Sequence, residues 1–309
     1  KNFQKLAIYI NFKYKALLDQ QGYDTRGLRS QDLNANYLPS ENISIKVNKN
    51  NALSNNIVSP EDADKIVDSI IIKIKGQALY KNRLLMLDII ASNEWKRPIY
   101  FTGGAFGDED YIWMKDYLQV EGVCYKLTPI KTPVDPERPY EMGQVNTSTM
   151  YPLVKKWKWG KRGEKEIYYD TESRRNSITY RGNMIRLVDQ LIIENENEKA
   201  KEILDLAMVK MPIEDFGFYT LLIPFINSYY TIDKKDKARE IFEKIAIKYK
   251  ENLEYYSSIS DSNKNKYAEL IYTDIERYRS LVDVLISYEE GEYLESKMKE
   301  FNDYLDLFL

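Results

Sequence analysis

The sequence predicts an α+β chain in three parts: a small α/β domain over residues 1–131, a proline-rich connector over 132–183, and an all-α, tetratricopeptide-like array of helical hairpins over 184–309. Three observations predict it. Helical and strand-like patterns alternate up to Lys131, as in an α/β layer. Pro133, Pro136, Pro139 and Pro152 interrupt the segment that follows. From Met184 onward the pattern is almost purely helical, and it repeats.

The first helix shows as Phe3, Leu6, Ala7, Ile10, Tyr14, Leu17 and Leu18 on one face, with Gly22 as its C′ residue. An alternating strand follows at Ile43–Val47. Ser59-Pro60-Glu61-Asp62 has the form of a helix start, with Ser at N-cap, Pro at N1 and acids in the first turn. Ser69–Lys75 reads as a second strand closed by Gly76. A helix over 82–95, with Leu84, Leu85, Leu87, Ile89 and Ile90, leads directly into a strand over Pro98–Thr102. Gly103, Gly104 and Gly107 form a turn. Asp108, Glu109 and Asp110 then favour a helix N-terminus through the macrodipole. That helix presents Tyr111, Met114, Tyr117 and Leu118 and stops at Gly122, and Val123–Ile130 returns as a strand.

In the array, Glu198-Lys199-Ala200-Lys201-Glu202-Ile203 aligns with Asp236-Lys237-Ala238-Arg239-Glu240-Ile241 at an offset of 38. Each copy opens a second helix after a polar turn. Ala200 and Leu204 correspond to Ala238 and Phe242, a small residue where two helix backbones cross and a larger one a turn later. Pro212 follows the first hairpin, and Pro224 starts or kinks the helix near Tyr219–Tyr230. A third hairpin over Tyr267–Leu309 turns at Glu289–Gly291. Its Leu294, Met298, Phe301, Leu305 and Phe308 suit a terminal capping face.

Composition removes whole classes of function. Basic and acidic residues nearly cancel, 45 against 48, which does not suit a nucleic-acid binder. The absence of histidine rules out a Ser-His-Asp triad, a Cys-His pair and a histidine-ligated zinc site in this chain. With Cys124 alone, no internal disulfide forms. The longest apolar runs fall far short of the roughly 20 residues of a membrane span.

Three segments are candidates for binding. Trp95 and Arg97, in Trp95-Lys96-Arg97-Pro98, could offer an aromatic platform beside a guanidinium to a sugar or anion; the same residues equally suit a buried helix-to-strand staple. Asp108 and Asp110 follow a strand and precede a helix, where α/β proteins bind ligands, and carboxylates there could hold Ca²⁺; the plainer reading is acids at a helix start. Lys155, Lys156, Trp157, Lys158 and Trp159 belong to a basic, Trp-bearing run ending at Arg162. Its readings are a membrane-interface anchor, a contact with a membrane-embedded half of the same protein, a nucleic-acid groove, which the overall charge disfavours, or a solvated linker with its Trp rings packed on the first hairpin. No catalytic residue, resident metal or cofactor is assigned. The sequons Asn42-Ile43-Ser44 and Asn146-Thr147-Ser148 are coincidences of an Asn-rich chain.

Five pieces in order carry a family resemblance over residues 35–256: Leu87-Asp88-Ile89-Ile90-Ala91 with Trp95–Phe101; Tyr117–Gly122; Tyr151 with Trp157-Lys158-Trp159-Gly160; Asn176–Asn183; and Tyr219–Tyr230. Together they resemble the C-terminal half of bacterial multi-pass membrane proteins whose transmembrane half is glycosyltransferase-like and related to the protein O-mannosyltransferases. The resemblance implies a Gram-negative inner-membrane protein with this half in the periplasm. It also implies that the catalytic acid lies in an early membrane loop outside this sequence. The expected role is therefore accessory: recognising or positioning acceptor protein, with the protein's own transmembrane half and acceptor or envelope proteins as partners and no nucleic acid. Two other classes stay open, an envelope scaffold unrelated to glycosylation and a carboxylate-based carbohydrate-active enzyme, which needs paired acids about 5–10 Å apart.

Overall fold

A computed structural model describes residues 20, 22, 42–73, 81–102, 111–132, 134, 141–160 and 167–308. The helix expected over Phe3–Leu18 and the Gly103–Asp110 loop lie outside the described residues. Gly22 has φ +77°, the left-handed conformation of a C′ glycine. The chain is α+β, a small strand region followed by a predominantly helical one. It divides into two compact units, one of Lys1–Tyr100, Gly107–Leu118 and Leu127–Met142, the other of Phe101–Phe106, Gln119–Lys126 and Gly143–Leu309.

In the first unit, β1 (Asn42–Lys46) pairs antiparallel with β2 (Ser69–Lys73), Ile45 opposite Ile70 and Ile43 opposite Ile72. Ile45, Val47, Ile70 and Ile72 are buried, so one face of this ribbon builds core and the other meets solvent. Helix α1 (Lys49–Ser54) starts at Asn48, whose side chain accepts the Asn51 N–H. The Ser59-Pro60 start yields a 3-10 helix, Pro60–Lys65. Ser59 does not cap it; its hydroxyl donates to Asp62 at 3.0 Å. Helix α2 (Lys81–Asn93) buries Leu87 and Ile90, while Leu85 and Ile89 stay 60% and 52% exposed, so its apolar face is narrower than the sequence suggests. Strand β3 (Tyr100–Thr102) follows.

The helix expected after Asp110 is a correction. Tyr111–Tyr117 is a 3-10 helix, and Leu118–Glu121 is strand β4. The spacing of Met114 and Tyr117, both buried, suits a 3-10 helix, in which residues three apart lie over one another. Gly122 and Val123 then turn the chain into β5 (Cys124–Leu127). With β6 (Gln144–Val145) these strands form a sheet of order β3-β5-β4-β6, β6 running parallel to β4. Most of this sheet falls in the second unit, and Val120 joins the core of the helical array.

The connector is more ordered than its prolines suggest. Helix α3 (Thr147–Lys155) is capped by the Asn146 side chain and contains Pro152. Helix α4 (Thr171–Ile193) begins well before Met184, where Asp170 accepts the Ser173 N–H at 2.9 Å. Three hairpins follow. Helix α4 pairs with α5 (Asn197–Lys210). After the short α6 (Ile213–Phe216), α7 (Ile223–Thr231) pairs with α8 (Lys235–Ser258). After α9 (Asp261–Lys266), α10 (Ala268–Tyr288) pairs with α11 (Glu292–Leu305). Pro224 sits in the first turn of α7, where its missing N–H costs no helical bond. Ala200, Leu204, Ala238 and Phe242 are fully buried in one continuous core. On the capping face, Phe301 is buried and Met298 is 39% exposed. Ala238→Leu is expected to overpack the α7–α8 contact and cost about 1–3 kcal/mol. An unchanged midpoint in urea unfolding would refute that placement.

Helix α8 is joined to α11 by polar side chains at a constant separation of 50 residues, Glu243 with Tyr293, Lys250 with Glu300 and Glu254 with Tyr304, and at the same separation Arg239 reaches Glu289, the C-cap of α10. A constant offset means the two helices run in the same direction, as second helices of successive stacked hairpins do. Lys297 adds a bond to Glu243 at 2.7 Å. The Glu289 rung is deeply buried and takes three donors. Arg239 donates to both Glu289 carboxylate oxygens at 2.7 Å, Tyr230 donates to one of them at 2.9 Å, and the Glu289 side chain is 3% exposed.

The Arg239 guanidinium bound to Glu289 holds its carboxyl below the ordinary value of 4.5, against the opposing effect of burial. A depressed carboxyl pKa contributes stability that is present above the ordinary value and lost as pH falls through the depressed one. Glu289→Gln should therefore cost about 1–3 kcal/mol at neutral pH. Its difference from the wild type should shrink as the solution is acidified below that range. Unfolding titrations across pH check this, and a pH-independent difference counts against the assignment.

Candidate functional site

The predicted site residues fall in different settings. Trp95 is 4% exposed and part of the core, while Arg97 is exposed. Glu94 and Trp95 both adopt positive φ, +49° and +61°, and Asn51 of α1 holds the Glu94 carbonyl at 2.8 Å. This corner is a turn pinned from α1, and Trp95 offers no open face to a ligand. Asp108 and Asp110 lie outside the described residues. Among the described residues, no group of three or more acidic or Cys side chains could hold a metal ion. Lys155 pairs with Glu202 at 2.6 Å, and Lys156 and Lys158 are exposed. Trp157 and Trp159 are half-buried and pack around Tyr180 of α4, with ring centroids 5.1 and 5.6 Å away.

Three of the five resemblance motifs meet at Gly122. Its φ of +65° is open to glycine, and a Cβ there would lie 3.3 Å from Leu153 and 3.6 Å from Trp157. Its N–H donates to the Met150 sulfur at 3.0 Å, and its carbonyl accepts from Asn183 at 2.8 Å. Nearby, Arg181 is fully buried and donates to the carbonyls of Gly217 at 2.6 Å and Met211 at 2.7 Å. These residues bind hairpin, helix and connector together; they make a packing knot without a chemical recess.

A recess does exist in the first unit. A cavity of about 660 Å³ is lined by residues 43–50 on one side and, on the other, by Leu87 and Ala91 of α2 and by Glu94 in the turn after it. Leu87 and Ala91 are four apart, on one stripe of α2. The main chain of β1 can be phased. Val47 donates to the Asp68 carbonyl at 2.9 Å, while the Ile71 N–H, opposite Ser44, donates to the Tyr117 hydroxyl at 3.1 Å. Bonded and non-bonded pairs alternate along an antiparallel ladder. Ile43, Ile45 and Val47 therefore address β2, and Ser44 and Lys46 turn their N–H and C=O groups to the other edge, beside the cavity. Among the described residues the lining includes one carboxylate, Glu94, and the ammonium groups of Lys46 and Lys49. Lys96 at 2.6 Å holds the Glu94 carboxyl below its ordinary value. The recess can bind, through main-chain donors and acceptors and a short apolar wall.

Residues 5–149 match the family model of TMEM260-associated domain 2. The description fits an accessory domain of a membrane-protein family. The matched segment contains β1, α1, β2, α2 and the whole β1–α2 recess, and it ends just inside α3. No helix among the described residues is long and apolar enough to cross a membrane. Neither the curated proteins nor the solved structures compared with the chain give a match.

Sequence reasoning missed this recess because the direction of its backbone donors and acceptors leaves almost no side-chain pattern. The one side-chain signal is the outward polar pair Ser44 and Lys46, and Lys on an edge strand is also how proteins discourage unwanted strand pairing.

Proposed function

We propose that the chain is the non-catalytic periplasmic accessory region of a membrane-embedded, glycosyltransferase-like protein, where it recognises or positions acceptor protein. The observation that carries this reading is the β1–α2 recess within the segment that matches TMEM260-associated domain 2. Its wall of main-chain groups, with one carboxylate, suits holding a polypeptide better than cleaving or forming a glycosidic bond. The sugar-transfer context comes from the resemblance to proteins related to the O-mannosyltransferases. The stacked hairpins, with Ala200 and Ala238 at their crossings, support a tetratricopeptide-like second surface for envelope proteins.

The test uses purified chain and the intact membrane protein side by side. The chain alone, given lipid-linked or nucleotide sugars and acceptor proteins, is expected to bind acceptor saturably and to show no turnover. Turnover abolished by a point substitution in this chain would overturn the accessory reading, and so would a chain that binds no acceptor. Intact protein lacking this region should lose transfer to protein acceptors; unimpaired transfer would instead favour a scaffold unrelated to glycosylation.

A further inference from the structure

We infer that the open edge of β1 takes up an extended segment of a partner polypeptide by strand addition, as a third strand of the β1–β2 sheet paired with Ser44 and Lys46. The inference rests on the accessory reading only for the partner's identity; the mode of binding follows from the main chain. Ser44 and Lys46 point their N–H and C=O groups away from β2, as the Val47–Asp68 and Ile71–Tyr117 bonds require. The far edge of the ribbon is occupied at Ile71 by the Tyr117 hydroxyl, so an added strand belongs on β1. The volume, about 660 Å³, falls within the range of about 300–1,000 Å³ typical of ligand sites.

The opposite wall selects what can enter. Leu87 gives an apolar floor, and Ala91, one turn on, leaves space where a larger side chain would meet β1. An added strand turns alternate side chains to one face, so every second residue of the occupant should be small or β-branched and apolar. Main-chain pairing supplies the affinity in such complexes and the pockets for alternate side chains supply the selectivity. The occupant is thus an unfolded or extended stretch of a protein, rather than a folded surface or a sugar chain.

Residue-resolved hydrogen exchange of the full chain tests this. The probe is a lysine-flanked peptide pool with threonine or valine at alternate positions and the others randomised, at millimolar concentration. Exchange at the Ser44 and Lys46 amides is expected to slow roughly tenfold or more, with Ile45 and Val47, already bonded to β2, unchanged. A pool N-methylated at alternate amides should give no protection. Ala91→Trp, at an exposed position, should abolish the protection while leaving the unfolding midpoint in place. Protection absent with the unmodified pool overturns the inference. So does protection that appears without peptide and grows with protein concentration, which would assign the edge to a second copy. Acceptor binding without protection at Ser44 and Lys46 overturns strand addition and leaves the accessory reading standing.

Discussion

Arg181→Ala is expected to destabilise the helical unit by about 3–5 kcal/mol, the cost of leaving two buried carbonyls unpaired and opening a cavity. Arg181 reaches from α4 to two carbonyls that no helix satisfies: Met211 at the C-cap of α5, and Gly217 just after α6. The last carbonyls of a helix need outside partners. Here one guanidinium serves two such sites, and its planar fork allows both bonds at once. Truncation leaves two buried acceptors, each worth about 1–3 kcal/mol, and opens a cavity besides. Arg181→Lys should recover less than half of the loss, because a single ammonium cannot span Met211 and Gly217. Denaturant unfolding of the full chain, followed through Trp157 and Trp159, reads the effect. A midpoint close to wild type for the Ala variant would mean these carbonyls find solvent.

Gly122→Ala is expected to cost about 2–5 kcal/mol. A left-handed conformation penalises any side chain by about 1–2 kcal/mol. Overpacking against Leu153, at 3.3 Å from the new Cβ, adds about 1–3 kcal/mol. Asn183→Ala removes the hydrogen bond to the Gly122 carbonyl at 2.8 Å and should cost about 1–3 kcal/mol. The two changes share one contact, so the double variant should lose less than the sum. Full additivity would show that Gly122 and Asn183 act separately.

Both residues lie in segments that carry the family resemblance, and this explains what those motifs encode. Gly122 closes Tyr117–Gly122, Asn183 closes Asn176–Asn183, and Trp157 begins Trp157–Gly160. In this chain the three segments bring together a turn, a hydrogen bond and a ring near Gly122. The hairpin array was legible because close helix crossings demand Ala at fixed spacing, and Ala200 and Ala238 meet that demand. The start of α4 was legible in principle: Asp170 precedes Ser173 by the three residues of a capping bond, but the prolines upstream masked it. The β4–β5 hairpin was misread because Tyr111, Met114, Tyr117 and Leu118 mimic helical spacing, and Gly122 serves equally as a helix stop or a hairpin turn. Only the long-range partners of Val120 and Gly122 decide between them. The recess was illegible for a different reason. A strand edge exposes the peptide group, which every residue shares, so its direction emerges only when Val47 and Ile71 show which way the ladder runs.

The rungs between α8 and α11 set how the array comes apart. Helix α11 buries Phe301, packs Tyr293, Leu294, Tyr304 and Leu305 partly against the core, and adds the ion pairs Lys250–Glu300 and Lys297–Glu243. The earlier hairpins share the same continuous apolar core. Apolar contact is indifferent to modest salt, whereas partly exposed ion pairs weaken as the Debye length contracts from about 10 Å at 0.1 M to about 3 Å at 1 M. The last hairpin is thus the segment whose hold on its neighbour depends on ionic strength. The dissolved ions around the molecule bear on how often α11 lifts away, and each departure uncovers the flank of α8.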